Sequence, residues 1–188
     1  MATKKTTLSP LHIGTVRVAR IHLLLVLAFA IQIIFYDAWH LITLELVMQR
    51  WIAIAALLVV TIVVWYLAHT TVRGTLGNKL LLWALIIADI VFASFCVYSG
   101  RGMASRAVAL YAIPLIASAI MLSRAALLGT AALCIAAYTA TAVSYFVINF
   151  NEGYKIELYG EVAFYSFGFI IVALLLWAVV RTKKHPHQ

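Results

Sequence analysis

Asp89 is the one carboxylate inside any hydrophobic segment of this chain, and it falls at the midpoint of such a segment, Leu80 to Tyr98. A charge at the centre of a bilayer costs roughly 2.5 to 3.5 kcal/mol on insertion scales, so an ionisable group there is paired, neutral or functional. Three roles are open to it. As a structural group it is protonated or bonded to a hydroxyl or amide on a neighbouring helix. As a coupling group, its protonation or partner changes with a stimulus. As a transport site, it passes a proton or cation along a path through the bilayer. No basic or second acidic residue is expected at matching depth in another span, and a relay needs a chain of such groups, which weighs against transport.

Other reactive side chains are spread thinly. The histidines, His12, His22, His40, His69, His185 and His187, fall at span edges or in loops by the sequence plan, which argues against a haem site between helices. The tail Lys183, Lys184, His185, Pro186, His187 lacks the further ligands that a metal site needs. The stretch Asn149 to Glu161 holds Glu152, Glu157 and Glu161 without the oxygen-ligand spacing of a calcium loop, and is expected to be a solvated connector lying on the membrane face. Cys96 and Cys134 form no CxxC pair and are expected to differ in depth by about 10 Å, so they read as small packing residues rather than a disulfide. HExxH, GxSxG, paired-aspartate phosphotransfer motifs and P-loops are all missing from the chain. The expectation is a protein that is not an enzyme, with no catalytic residue, no metal and no cofactor.

The elements that must carry Asp89 follow from composition. With 65% hydrophobic and 11% charged residues and a mean hydropathy of +1.05, the chain lies far outside the range of soluble domains. Apolar runs of membrane length predict an all-α integral membrane bundle of six transmembrane helices: Ile21 to Tyr36, Trp51 to Ala68, Leu80 to Tyr98, Val108 to Leu122, Ala125 to Val147 and Val162 to Val180. Residues 1–20 form a basic amino-terminal segment, 21–180 the membrane domain and 181–188 a basic tail. Pro114 predicts a kink in the fourth span, or a site where neighbours satisfy the freed carbonyl. Asp37 to Arg50 has Leu41, Leu44, Met48 and Trp51 at helical spacing, which fits a short interfacial helix.

Charge sets the expected direction. With both termini cytoplasmic, the inner segments hold Lys4, Lys5, Arg17, Arg20, Arg73, Lys79, Arg124, Arg181, Lys183 and Lys184, and the outer ones only Arg50, Arg101, Arg106 and Lys155 as bases. The net charge of +8 is scattered over segment ends rather than gathered in a stripe, so topology accounts for it and nucleic acid is not an expected partner. The rings of Trp39, Trp51, Trp65, Tyr66, Tyr98, Tyr154, Tyr159 and Trp177 cluster near span ends, as headgroup anchors do. Ala132, Ala136, Ala140 and Ser144 recur every four residues in the fifth span and predict a close-packing face, within the bundle or between protomers. No pair of broken helices repeats between the halves, which weakens a transporter reading.

The run from Asp89 to Tyr138, DIVFASFCVYSGRGMASRAVALYAIPLIASAIMLSRAALLGTAALCIAAY, resembles the membrane sensor region of six-span bacterial sensor histidine kinases of the pilus-biogenesis and redox-responsive type. The matching features are Asp89 ahead of a glycine-containing outer turn, Tyr111 to Pro114 in the next helix, a small-residue stretch ending in Leu122, Ser123 and Arg124, and an alanine-rich fifth span. The resemblance implies a sensory or coupling role for Asp89, Ser99, Gly100, Tyr111, Pro114 and Arg124. Two features depart from the family. Gly100 to Arg106 lacks the asparagine and proline of the GGxxNPF quinone-contact motif, and the sequence stops at Gln188, where the phosphoacceptor and ATP-binding domains would follow.

The expected function is therefore a sensory or regulatory module in the bacterial plasma membrane. Its signal would bias the packing of spans three to five around Asp89 and leave through the sixth span. Expected partners are the lipid bilayer, a cytoplasmic kinase core or response-regulator system, and further copies of the chain. A small proton- or cation-coupled transporter or channel subunit, and a scaffold subunit of a membrane complex, are the alternatives.

Overall fold

The computed structural model describes residues 10–70, 74–149 and 155–184, with side chains as far as Arg181. They form α1 (Pro10–Ala38), α2 (Leu44–Thr70), α3 (Thr75–Ser99), α4 (Ala112–Ala119), α5 (Arg124–Asn149) and α6 (Lys155–Lys184). A 3₁₀ turn, Gly102–Ala104, and a 3₁₀ helix, Arg106–Tyr111, join α3 to α4. Five of the helices are long and apolar enough to cross a membrane, and the sixth segment is the shorter Arg106–Ala119. Helices are the natural answer for such a sequence, because a bilayer core offers no water to satisfy backbone polar groups. Several hydroxyls inside the helices are satisfied in the same way. Thr15, Thr61, Ser94 and Thr141 each donate to the carbonyl one turn back, at 2.7–2.9 Å.

The helix bounds depart from the hydropathy plan in several places. α1 begins at Pro10 rather than Ile21, with proline at a helix start, where its missing N–H costs nothing. Arg17 and Arg20 continue that helix on its exposed side, where long basic side chains can extend toward water. At the other end α1 runs through Asp37 to Ala38 and α2 starts at Leu44, so Asp37 to Arg50 is two helix ends and a short link rather than an interfacial helix. Likewise Lys155 to Glu161 is the first two turns of α6 rather than a surface connector, and residues 150–154 lie outside the described part. A hydropathy window ends a span at charged residues; backbone hydrogen bonding does not.

The fourth span differs most. Six residues at about 2.0 Å and eight at about 1.5 Å give a segment roughly 24 Å long, short of the roughly 30 Å hydrocarbon core. Pro114 is the third residue of α4, just past the change from 3₁₀ to α winding, so it sits in a short helix instead of kinking a long one.

α3 is the centre of the bundle. Half of its apolar window is buried, against 28% for α1, α2 and α5 and 11% for α6. It packs against α1, α2, α4 and α5, and its Leu82, Leu85, Ile86, Ala93 and Val97 are fully enclosed. Lipid tails are as apolar as these side chains, so close packing and internal hydrogen bonds hold the helices together rather than a hydrophobic drive.

Candidate functional site

Three helix faces converge on the site. α1 presents His22, Val26, Phe29, Ile33 and Tyr36 along one stripe, and α3 presents Asp89, Phe92 and Cys96 at steps of three and four residues. Arg50 and Ile54 of α2 close the far end of this seam, which is the end of the bundle opposite Pro10.

At its deep end His22 Nε2 stands 2.7 Å from Asp89 Oδ2, with side-chain exposures of only 4% and 3%. The expectation that no ionisable partner lies at Asp89's depth is thus corrected. Beginning α1 at Ile21 put His22 at a membrane edge, whereas the helix that starts at Pro10 carries it to mid-length. The visible signal was a proline able to open a helix eleven residues earlier than the apolar run.

Chemistry fixes the proton arrangement. His22 Nδ1 is 2.9 Å from the Val18 carbonyl, which can only accept, so Nδ1 carries a hydrogen. The Nε2–Oδ2 bond then holds one proton, resident on imidazole as an ion pair or on the carboxyl as a neutral pair. Both arrangements have zero net charge. Adding or removing a proton leaves a lone buried charge, which is the costly state.

A cavity of about 430 Å³ opens beyond the pair, lined on one side by Phe29, Ile33 and Tyr36 of α1 and on the other by Phe92, Phe95 and Cys96 of α3. Neither His22 nor Asp89 lines it. Phe29 and Phe92 meet edge to face with centroids 4.8 Å apart, between the cavity and the buried pair.

The third part of the site is Tyr111. Ser94 Oγ donates its single hydrogen to the Ile90 carbonyl, so the 2.7 Å contact between Ser94 Oγ and the Tyr111 hydroxyl is donated by the tyrosine. The Tyr111 ring is fully buried against Tyr138 of α5 and Phe169 of α6, with centroids 6.2 and 5.5 Å away, and Cys134 donates a weak thiol contact to its carbonyl at 3.8 Å. One residue at the 3₁₀-to-α junction therefore touches α3, α5 and α6.

The expected site residues divide accordingly. Asp89 and Tyr111 are both bonded through α3, and Pro114 is buried one turn past Tyr111. Gly100 closes α3, its N–H donating to Cys96 O at 3.0 Å, and it lines the cavity; Ser99 only bonds back to the same carbonyl at 3.3 Å. Arg124 is exposed at the start of α5, beyond a four-residue link capped by Ser123, and joins none of them. Sequence reasoning missed His22, the Phe29–Phe92 contact, and Arg50 and Arg106 at the cavity. The last two are charges at helix ends, counted only as topology signals.

Cys96 and Cys134 are both free thiols. Ala132, Ala136, Ala140 and Ser144 all face outward from α5, so they are not a packing face within the chain. Trp39, Tyr66 and Tyr159 are exposed near helix ends. Among the described residues no three His, Cys, Asp or Glu side chains cluster as metal ligands; His185 and His187 lie outside those residues.

No family model, curated protein or solved structure matches the chain. Its class is defined by the helices themselves: several are long and apolar enough to span a bilayer, as in a multi-pass α-helical membrane protein.

Proposed function

We propose that the chain is a six-segment sensory or regulatory module of the bacterial plasma membrane, with both termini cytoplasmic and no catalysis of its own. The observation that carries this reading is the His22–Asp89 pair, a buried bond between α1 and α3 that holds one proton and has two arrangements of equal net charge. A stimulus that favours one arrangement shifts the α1–α3 packing, and such a shift is what a two-state input element needs. Tyr111 gives α3 a route to α5 and α6 through side-chain contact. The likeness of Asp89 to Tyr138 to kinase sensor regions supports the same role, with a cytoplasmic kinase core or response-regulator system as the reader of α6. The excess of basic residues on the Pro10 side supports the orientation. The outward small-residue face of α5 suits contact between copies of the chain.

The test is a fusion of the full chain at Gln188 to a kinase core whose autophosphorylation is measured in membranes. Stimulus-dependent phosphorylation that is lost in Asp89→Asn supports the module. Output indifferent to every stimulus and to Asp89→Asn removes it.

The same pair favours a second reading, a proton-coupled carrier, since a shared proton at mid-depth is what such a cycle titrates. Against it, the cavity stops at Phe29 and Phe92 instead of reaching the pair. Proteoliposomes carrying an internal pH dye discriminate the two: proton flux in the native chain that Asp89→Asn abolishes would establish the carrier.

A further inference from the structure

We propose that the cavity between α1, α2 and α3 binds a hydrocarbon chain of an amphiphile with an anionic carboxylate or phosphate head. This inference does not rest on the sensory reading, because binding is read without any signalling output.

The cavity has two chemically distinct parts. Phe29, Phe92, Phe95 and Leu110 make an apolar wall, and its volume of about 430 Å³ lies within the roughly 300–1,000 Å³ typical of small-molecule sites. Among the described residues, Arg50 and Arg106 are the only charged ones that line it. Two cations facing one space with no carboxylate repel each other, and among the described residues neither is ion-paired. Arg50 is half-buried and held in place, its guanidinium 5.4 Å from the centroid of the Tyr36 ring. Arg106 is exposed beside Ala104 and Ala109, also exposed, so the charged part lies where the cavity opens. Guanidinium groups match carboxylate and phosphate oxygens in a planar, two-point geometry. A head group on the arginines would place its hydrocarbon tail against the phenylalanines. A wholly apolar ligand leaves the arginines unanswered, and a small anion leaves the apolar wall empty.

The required ligand chemistry is available from a free fatty acid or from an anionic lipid of the surrounding bilayer. The test uses the full chain in nanodiscs of zwitterionic phosphatidylcholine, with a diazirine-labelled fatty acid as photocrosslinking probe and peptide mapping as readout. The expected result is crosslinking to the Phe29–Tyr36 and Phe92–Gly100 segments that oleate competes away and oleyl alcohol, with the same chain but a neutral head, does not. Yield should fall at least tenfold in the R50Q/R106Q double variant. It should fall equally in A109W, which fills the cavity from an exposed position and keeps every core side chain. Replacing part of the bilayer with phosphatidylglycerol separates the sources: suppressed crosslinking assigns the site to a bilayer lipid, and crosslinking that only oleate suppresses assigns it to the free acid. Equal competition by oleyl alcohol, or undiminished yield in both variants, overturns the proposal.

Discussion

Phe29 and Phe92 form an edge-to-face contact, 4.8 Å between centroids, one turn beyond Asp89 on α3 and two turns beyond His22 on α1. The rings therefore stand between an open cavity and a buried pair that shares one proton. Truncating either ring should connect the two. In Phe92→Ala, Asp89 should become modifiable by a water-soluble carbodiimide, read by mass spectrometry, while the native chain stays unreactive. The same variant should lose about 3–5 kcal/mol of stability if the site does not collapse. An unreactive Asp89 in a folded Phe92→Ala protein would show that the rings are not the barrier.

Substitutions in the pair should differ by what they leave behind. His22→Ala strands a buried carboxyl and Asp89→Ala strands a buried imidazole, and each should cost about 3–5 kcal/mol in denaturant unfolding in detergent. Asp89→Asn should cost only about 1 kcal/mol, because its amide can donate to a neutral Nε2 and keep the bond. The double variant His22→Leu/Asp89→Leu should recover most of the loss, since no polar group then remains. Additive losses in the double variant would contradict a coupled pair.

Two alanines of α5, six residues apart, should respond in opposite ways to enlargement. Ala142 is fully enclosed in the main core, so Ala142→Leu should destabilise by about 1–3 kcal/mol through overpacking. Ala136 faces outward with Ala132, Ala140 and Ser144, so Ala136→Leu should leave the monomer's unfolding unchanged. If that face joins copies of the chain, Ala136→Leu should also shift the oligomer distribution seen by light scattering, whereas Ala142→Leu should not.

The turn after α3 depends on a glycine for two reasons. Gly102 has φ +63°, and a Cβ there would lie 2.7 Å from the Tyr145 ring of α5. Gly102→Ala should cost about 1–3 kcal/mol in thermal unfolding. Arg101, with φ 80°, carries the same backbone strain without the close contact, so Arg101→Gly should be neutral or mildly stabilising. Effects of equal size and opposite sign at the two positions would mean that the Tyr145 contact contributes nothing.

Much of this protein was legible as a string of residue types. The helical class and five membrane-length helices follow from long apolar runs, because a backbone in lipid must bond to itself. Asp89 stood out for the same reason, as a charge where charges are expensive. What the string concealed was everything that depends on where a helix starts and which way its faces point. Arg17 and Arg20 ended the first span by hydropathy, yet the backbone continued through them, and that shift moved His22 from a membrane edge to the middle of the bundle. The alanines of α5 gave a periodicity with no direction; packing turned Ala131 and Ala142 inward and Ala132, Ala136 and Ala140 outward. Arg50 and Arg106 lie far apart along the chain and come to one cavity only because α1, α2 and α3 meet there. Composition determines that a chain enters the bilayer and how often it can cross, since those energies are local. Partners across helices are decided by tertiary packing, since a rotation or a one-turn extension of a helix costs little by itself and changes every contact it makes.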